Sequence, residues 1–195
     1  MISKLYSLGH SNLPFEQFLR LLEATGSTAV ADVRSSPFSK YAPWFSRREF
    51  KDHLRQYGIA YSFLGNELGG RPKDSELFQG GIADYEAMAK TDAFRSGIAR
   101  LLDGIERHRI TMVCSERDPL HCHRCLLVGR YLKTQGVLTS HIHANGFEET
   151  QDDVEERLLR EEGLALEDML RSRGQRLDEA YLRRSRKAAF SLTGT

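Results

Sequence analysis

Apolar and polar positions along this chain alternate between two rhythms. Short apolar runs at Lys4 to Leu8, Thr28 to Val33, Ala60 to Leu64, Ile110 to Cys114 and Val137 to His143 read as strands. Between them, apolar residues recur at helical spacing. Phe15, Phe18, Leu19 and Leu22 make one stripe, with Pro14 in the first turn and Gly26 just past the end. Ser46 and Glu49 have capping-box spacing and open a second helix that closes near Gly58. Thr91 to Glu106 is a third amphipathic stretch, and Leu126 to Leu132 a fourth that ends at Gly136. Strands alternating with helices predict an α/β fold: a three-layer, open, mostly parallel sheet of about five strands with helices on both faces.

The pattern changes after residue 147. Residues 148–168 carry ten acids against Arg157 and Arg160, and residues 171–187 carry seven bases against Asp178 and Glu179. We read 1–147 as the α/β domain and 148–195 as a charged helical extension packed on or beside it. Its opposite charges face each other, or its basic helix reaches towards a nucleic-acid backbone. Two loops, 34–45 with Pro37 and Pro43 and 65–82 with several glycines, are longer than the fold requires. Each follows a strand, so both should lie over the carboxyl edge of the sheet, where open α/β folds bind ligands. Trp44 and Phe45 in the first loop suit either a packed-down lid or a stacking platform.

Composition narrows the picture. With 28 Lys and Arg against 27 Asp and Glu, the net charge of +1 gives no global attraction to nucleic acid or membrane. No apolar run is long enough to span a bilayer. The three cysteines, Cys114, Cys122 and Cys125, sit in one short window and make a poor disulfide framework. They point to a reducing, cytoplasmic setting.

That window also holds the densest chemistry. In Cys114-Ser-Glu-Arg-Asp-Pro-Leu-His-Cys-His-Arg124 a strand ends, and Asp118-Pro119 reads as the cap and first residue of a helix. Glu116, Asp118, Cys122, His123 and Arg124 then crowd one turn and one helix start, a place that favours anions. Cys122, flanked by His121, His123 and Arg124, is a thiolate candidate or a small packed hydrophobe. Zinc or iron at Cys114, Cys122 and His123 is a weaker alternative, because no second closely spaced cysteine pair exists, so no cofactor is expected. Two other strand ends should converge here. His10 in Gly9-His10-Ser11-Asn12 is an acid–base candidate or a solvated loop residue, and Ser11 or Asn12 a helix cap or a ligand contact. Asp32 with Arg34 makes a ribose contact or a structural ion pair. No dinucleotide or phosphate-loop glycine motif accompanies them.

Together, Gly9-His10-Ser11-Asn12, Asp32-Val33-Arg34 with Pro37 and Ser39, Tyr61-x2-Leu64-Gly65, Leu68-Gly69-Gly70-Arg71, Cys114-x-Glu116-x-Asp118-Pro119-x2-Cys122-His123-Arg124 and His141-Ile142 resemble the bacterial "domain of unknown function 488" family. The resemblance implies that the glycine, aspartate–arginine and Cys-His-Arg motifs form one site. The family has no settled activity; some members carry an iron–sulfur-assembly label that nothing in these motifs supports. Ser115 stands where alanine is common, and Cys125 is particular to this chain.

The resulting expectation is an enzyme acting on a nucleotide-like or phosphorylated substrate, a hydrolase or a glycosyl or acyl transferase. Glu116, His10, His123 or Cys122 would do the chemistry. Gly9, Ser11, Asn12, Asp32, Arg34, Arg71, Asp118 and Arg124 would bind the ligand. The alternative is a non-catalytic nucleotide or nucleic-acid binding module. Neither reading fixes an oligomeric state, and neither calls for a membrane.

Overall fold

A computed structural model describes residues 4–165 and 170–192. In chain order the elements are β1 (Lys4–Gly9), α1 (Phe15–Ala24), β2 (Ala29–Asp32), α2 (Arg47–Gln56), β3 (Ala60–Phe63), α3 (Gly65–Leu68), β4 (Phe78–Gln79) and β5 (Ile82–Ala83). Then come α4 (Tyr85–Met88), α5 (Asp92–Arg107), β6 (Ile110–Cys114), α6 (Arg130–Thr134), β7 (Leu138–Ile142), β8 (Glu148–Thr150), α7 (Gln151–Glu161) and α8 (Arg173–Ala188). Between β6 and α6 lie a 3-10 turn, Pro119–His121, and a π-helical segment, Arg124–Gly129, that runs into α6.

The sheet order is β3-β2-β6-β1-β7-β8. The first five strands are parallel, and β8 pairs antiparallel with β7 at the edge. Side-chain alternation divides the core between the two faces. Ala29, Ala31, Ile110 and Met112 face one side, beneath Phe94, Ile98 and Leu101 of α5, Leu132 of α6 and Leu158 of α7. Val30 and Val113 face the other, beneath Phe18 and Leu22 of α1 and Phe50 and Leu54 of α2. The predicted three-layer α/β arrangement is therefore what forms.

Handedness of the connections places the crevice. The chain leaving β2 turns to the α1/α2 face, whereas the chain leaving its neighbour β6 turns to the opposite one. Neighbouring carboxyl ends whose connections diverge leave an opening between them, the usual ligand position in open α/β sheets.

Three local expectations need correction. Ser46 does not close a capping box with Glu49; its Oγ accepts from the Ser39 N–H instead and ties the long loop to α2. Residues 148–150, read as part of a charged helix, form the sixth strand, and Thr150 caps α7 in a box with Asp153. Asp118-Pro119 caps only the 3-10 turn: Asp118 accepts from Leu120 N, and the longer helical run starts after Cys122.

α7 and α8 lie against each other through complementary charge. Arg173 pairs with Glu156, Arg184 with Glu161 and Glu162, and Lys187 with Glu162. Arg176 donates to the carbonyls of Leu164 and Ala165. Glu167 and Asp168 of the acidic run lie outside the described residues. A buried polar chain fastens the pair to the sheet. Ser7 Oγ meets His141 Nδ1 at 2.6 Å, His141 Nε2 donates to Gln151 Oε1 at 2.8 Å, and Gln151 Nε2 donates to the Tyr181 hydroxyl at 2.8 Å. Among the described residues no helix is long and apolar enough to cross a membrane.

Candidate functional site

β6 delivers Cys114, fully buried, to the carboxyl edge, and the turn after it is held from several sides. The Cys114 and Ser115 carbonyls accept from the N–H groups of His10 and Ser11, both at 2.9 Å. Arg124 reaches back to donate to the carbonyls of Glu116 at 2.6 Å and Arg117 at 3.1 Å. Gly9 is required by this closeness: a Cβ there would lie 1.8 Å from the Glu116 carbonyl oxygen. Beyond the 3-10 turn Cys122 is extended (φ −141°, ψ 137°), and its carbonyl accepts from Leu126 N. Cys122 rather than Asp118 therefore stands at the mouth of the helical run, and Arg124 N approaches its Sγ at 3.4 Å. Asp118 is held by Arg157 of α7 at 3.0 Å and does not line the cleft.

Four side chains meet at this point. Cys114 Sγ and Cys122 Sγ lie 2.9 and 3.0 Å from the same oxygen, Oε2 of Glu116. Both sulfurs are 3.8 Å from Nδ1 of His123. His123 Nε2 is 2.9 Å from the Val33 carbonyl, which can only accept, so Nε2 carries a proton and Nδ1 is the atom turned to the sulfurs. The coordinating atoms of Cys114, Glu116, Cys122 and His123 all fall within 4.8 Å of one another.

The cluster sorts its protons by environment. Burial works against ionising Cys122, yet the Cys114 hydrogen bond, Arg124 and His123 outweigh it and hold the thiol well below its usual range. Burial and the Cys122 partner push Cys114 the other way. Glu116 is raised by burial and by the Cys122 charge. His123 is raised against its burial by Cys122 and then Glu116. Arg124, wholly buried, bonds backbone carbonyls, and its countercharge is this cluster.

Above the cluster is a cleft of about 250 Å³ whose walls include Ser35, Phe38, Gly70, Arg71, Tyr85 and Phe190. The two long loops thus flank the site. Ser35 Oγ accepts from Arg71 N at 2.9 Å and joins them. Gly70 lies so close over His123 that a Cβ would sit 2.7 Å from the imidazole. The exposed Arg71 guanidinium lies over the Phe190 ring at 5.0 Å and makes no carboxylate pair among the described residues. Cys125 points elsewhere, against Gln151, and burial pushes its thiol up to about 12.

The other strand-end motifs support the site mainly from behind the cleft wall, to which Arg34 contributes. His10 is buried and stacked on Phe45 at 4.2 Å, with Nδ1 donating to the Ser11 carbonyl and Nε2 accepting from Arg34. Burial and then Arg34 lower it to about 4, so it is neutral at ordinary pH, and of its two alternatives the solvated loop residue is ruled out. Asp32 and Arg34 form a buried ion pair, with Arg34 also donating to the Phe45 carbonyl and Tyr61 to Asp32. Arg34 borders the cleft with each guanidinium nitrogen bonded to Asp32, His10 or Phe45, and Arg124 bonds the turn, so among the described arginines here Arg71 is the one whose guanidinium makes no hydrogen bond. Ser11, at φ +45°, and Asn12 bond each other beside the turn. Phe45 is buried and Trp44 Nε1 donates to the Leu13 carbonyl, so these aromatics form a packed lid.

Sequence reasoning missed Tyr85, Ser35, Phe190 and the Val33 carbonyl. Tyr85 lines the cleft, and its hydroxyl is raised by burial and by Cys122. It follows Asp84, whose side chain caps α4, a detectable signal for the turn but not for its direction. Phe190 arrives only because the chain after α8 folds back, its carbonyl accepting from Ala83 N at 2.9 Å.

Fold and site together define an α/β protein with a buried thiol–carboxylate–imidazole cluster at a sheet-edge cleft. Residues 14–131, more than half the chain, match the family described as "Domain of unknown function DUF488", and the protein belongs to that family. No curated protein and no solved structure matches it.

Proposed function

We propose that this protein is an enzyme that binds a small anionic molecule in the cleft and transforms it with the Cys114–Glu116–Cys122–His123 cluster. The observation that carries this reading is the convergence of four chemically active side chains under an open cleft with the unpaired cation Arg71 beside it. Buried groups of this kind with shifted proton affinities concentrate at functional sites. The cleft lies at the small end of ligand pockets, which suits a phosphorylated or carboxylated metabolite of mononucleotide size or less. Glu116 would move the proton in a hydrolysis or group transfer, because it borders the cleft and burial raises it above the ordinary carboxylate range. Three unpaired cysteines support a reducing, cytoplasmic setting. A nucleic-acid role for α8 has less behind it, since Arg173, Arg184 and Lys187 bond carboxylates of α7 and of Glu162 after it.

Thermal-shift measurement over phosphorylated and carboxylated metabolites tests the proposal. A cleft ligand at 100 times its Kd should stabilise the fold by about 2.7 kcal/mol. Arg71→Ala should remove most of that gain, whereas Glu116→Gln should keep binding and abolish turnover of the ligand. Stabilisation indifferent to Arg71, or turnover unchanged in Glu116→Gln, contradicts the assignment.

A further inference from the structure

We infer that Cys114, Cys122, His123 and Glu116 are the ligands of a single zinc-class divalent metal ion at the floor of the cleft. The inference rests on the reading of this cleft as an active site and names the cofactor of that site.

Donor chemistry comes first. Two thiolates and an imidazole form a soft set that selects zinc, cobalt or ferrous iron over magnesium or calcium. A carboxylate completes the usual count of four. Geometry agrees. Metal bonds of about 2.3 Å to sulfur and about 2.0–2.1 Å to nitrogen, at tetrahedral angles, separate sulfur from nitrogen by about 3.6 Å. Both sulfurs stand 3.8 Å from Nδ1 of His123. Glu116 Oε2, at 2.9 and 3.0 Å from the sulfurs, is about half an ångström closer than a tetrahedral site needs, which a small side-chain rotation supplies.

The surroundings are those of a metal-bound histidine. Ligating imidazoles characteristically donate their second ring nitrogen to a carbonyl or carboxylate, which fixes the tautomer and aims the free lone pair. His123 does this through Nε2 and the Val33 carbonyl, and the absence of a Cβ at Gly70 leaves room for the ring. Charge is also accounted for. Arg124 is fully buried, with its hydrogen bonds going to backbone carbonyls. Two thiolates and a carboxylate are balanced by the dication together with this guanidinium, whereas uncompensated buried charge is costly.

Cys125 takes no part in this set. Cys122 and Cys125 are the most closely spaced pair, but Cys125 faces Gln151 on the other side of the helical run. The actual companion of Cys122 is Cys114, brought from the strand end. Glu116 is the one ligand of the four that is partly exposed, so it is the ligand a substrate oxygen would displace. With Glu116 displaced, three protein ligands and one open position would remain, the arrangement of a catalytic centre.

Cobalt substitution tests the inference on the full chain. The protein is freed of metal with a chelator, titrated with cobalt, and followed by absorption and native mass spectrometry, with far-ultraviolet circular dichroism as the folding control. The expected result is one equivalent per chain, with thiolate-to-cobalt charge transfer, tetrahedral ligand-field bands and displacement by zinc. Cys122→Ser and His123→Gln should weaken binding by more than the roughly 10–100-fold that losing an outer-shell partner costs. Glu116→Gln should keep the charge transfer but alter the ligand-field bands, and Cys125→Ser should leave stoichiometry and spectrum unchanged. Folded protein without charge transfer, or a spectrum that depends on Cys125 and not on Cys122, overturns the metal site. If Arg71-dependent anion stabilisation persists in that case, the metal centre alone is refuted and the cleft remains a ligand site.

Discussion

Gly70 and Gly9 show how narrowly single positions set this site. A methyl group on Gly70 would press on the His123 ring at 2.7 Å, and one on Gly9 would meet the Glu116 carbonyl at 1.8 Å. Gly70→Ala should destabilise the protein by about 1–3 kcal/mol in urea unfolding and weaken ligand-induced stabilisation, because the imidazole must move. Gly9→Ala should cost at least as much, since its clash is with backbone that cannot swing aside. Equal stability of Gly70→Ala and the parent would mean the loop does not press on His123. Both glycines stood in recognisable motifs, as did every member of the cluster. What the sequence concealed was their division of labour. Nothing in Asp32-Val33-Arg34 told an ion pair from a ligand contact, since that depends on Tyr61 and the Phe45 carbonyl arriving from other segments.

At the scale of elements, the connection from β6 to α6 carries the design. Its 3-10 turn sets Cys122 at the mouth of the helical run, and α7 steadies it through Arg157, which bonds Asp118 and the buried Glu149. Arg157→Met should destabilise by about 2 kcal/mol, because the buried Glu149 then keeps only the His143 ring nitrogen as a side-chain partner among the described residues. The same variant should blunt ligand-induced stabilisation by loosening the turn; a Tm equal to the parent's would show that the clamp is idle. The central strands β2 and β6 were legible because burial on both faces leaves them almost wholly apolar. Asp118-Pro119 was a genuine cap signal, but local chemistry does not distinguish a single 3-10 turn from the start of a helix. β8 was hidden because Glu148-Glu149-Thr150 has no apolar alternation: as an edge strand it takes its place from pairing with β7.

For the molecule as a whole, two buried histidines link stability to pH. Burial, followed by Arg34 for His10 and by Arg124 for His141, lowers each to about 4. In the unfolded chain each titrates near 6.5 and binds a proton that the folded state refuses, so stability falls as pH drops from about 6.5 towards 4. At about pH 5 the loss should be on the order of 2 kcal/mol for each histidine, read as a lower denaturation midpoint. A midpoint unchanged between neutral pH and 5 would show that neither is held neutral. Neither histidine's burial could be read from sequence, because each is enclosed by long-range partners: Phe45 stacks on His10, and Gln151 receives His141.

The location of the site was legible because strand ends in an α/β fold must converge on one edge. The full lining of the cleft was not, because Tyr85 and Phe190 reach it from α4 and from the segment after α8. The central claim is that this edge binds a small anion over the four-residue cluster. A crystal structure with the most stabilising metabolite tests it most directly. The predicted result is the ligand's anionic group on Arg71 and its reactive portion within contact of Glu116 and His123. A ligand bound at another surface, with the cleft empty, would contradict the account.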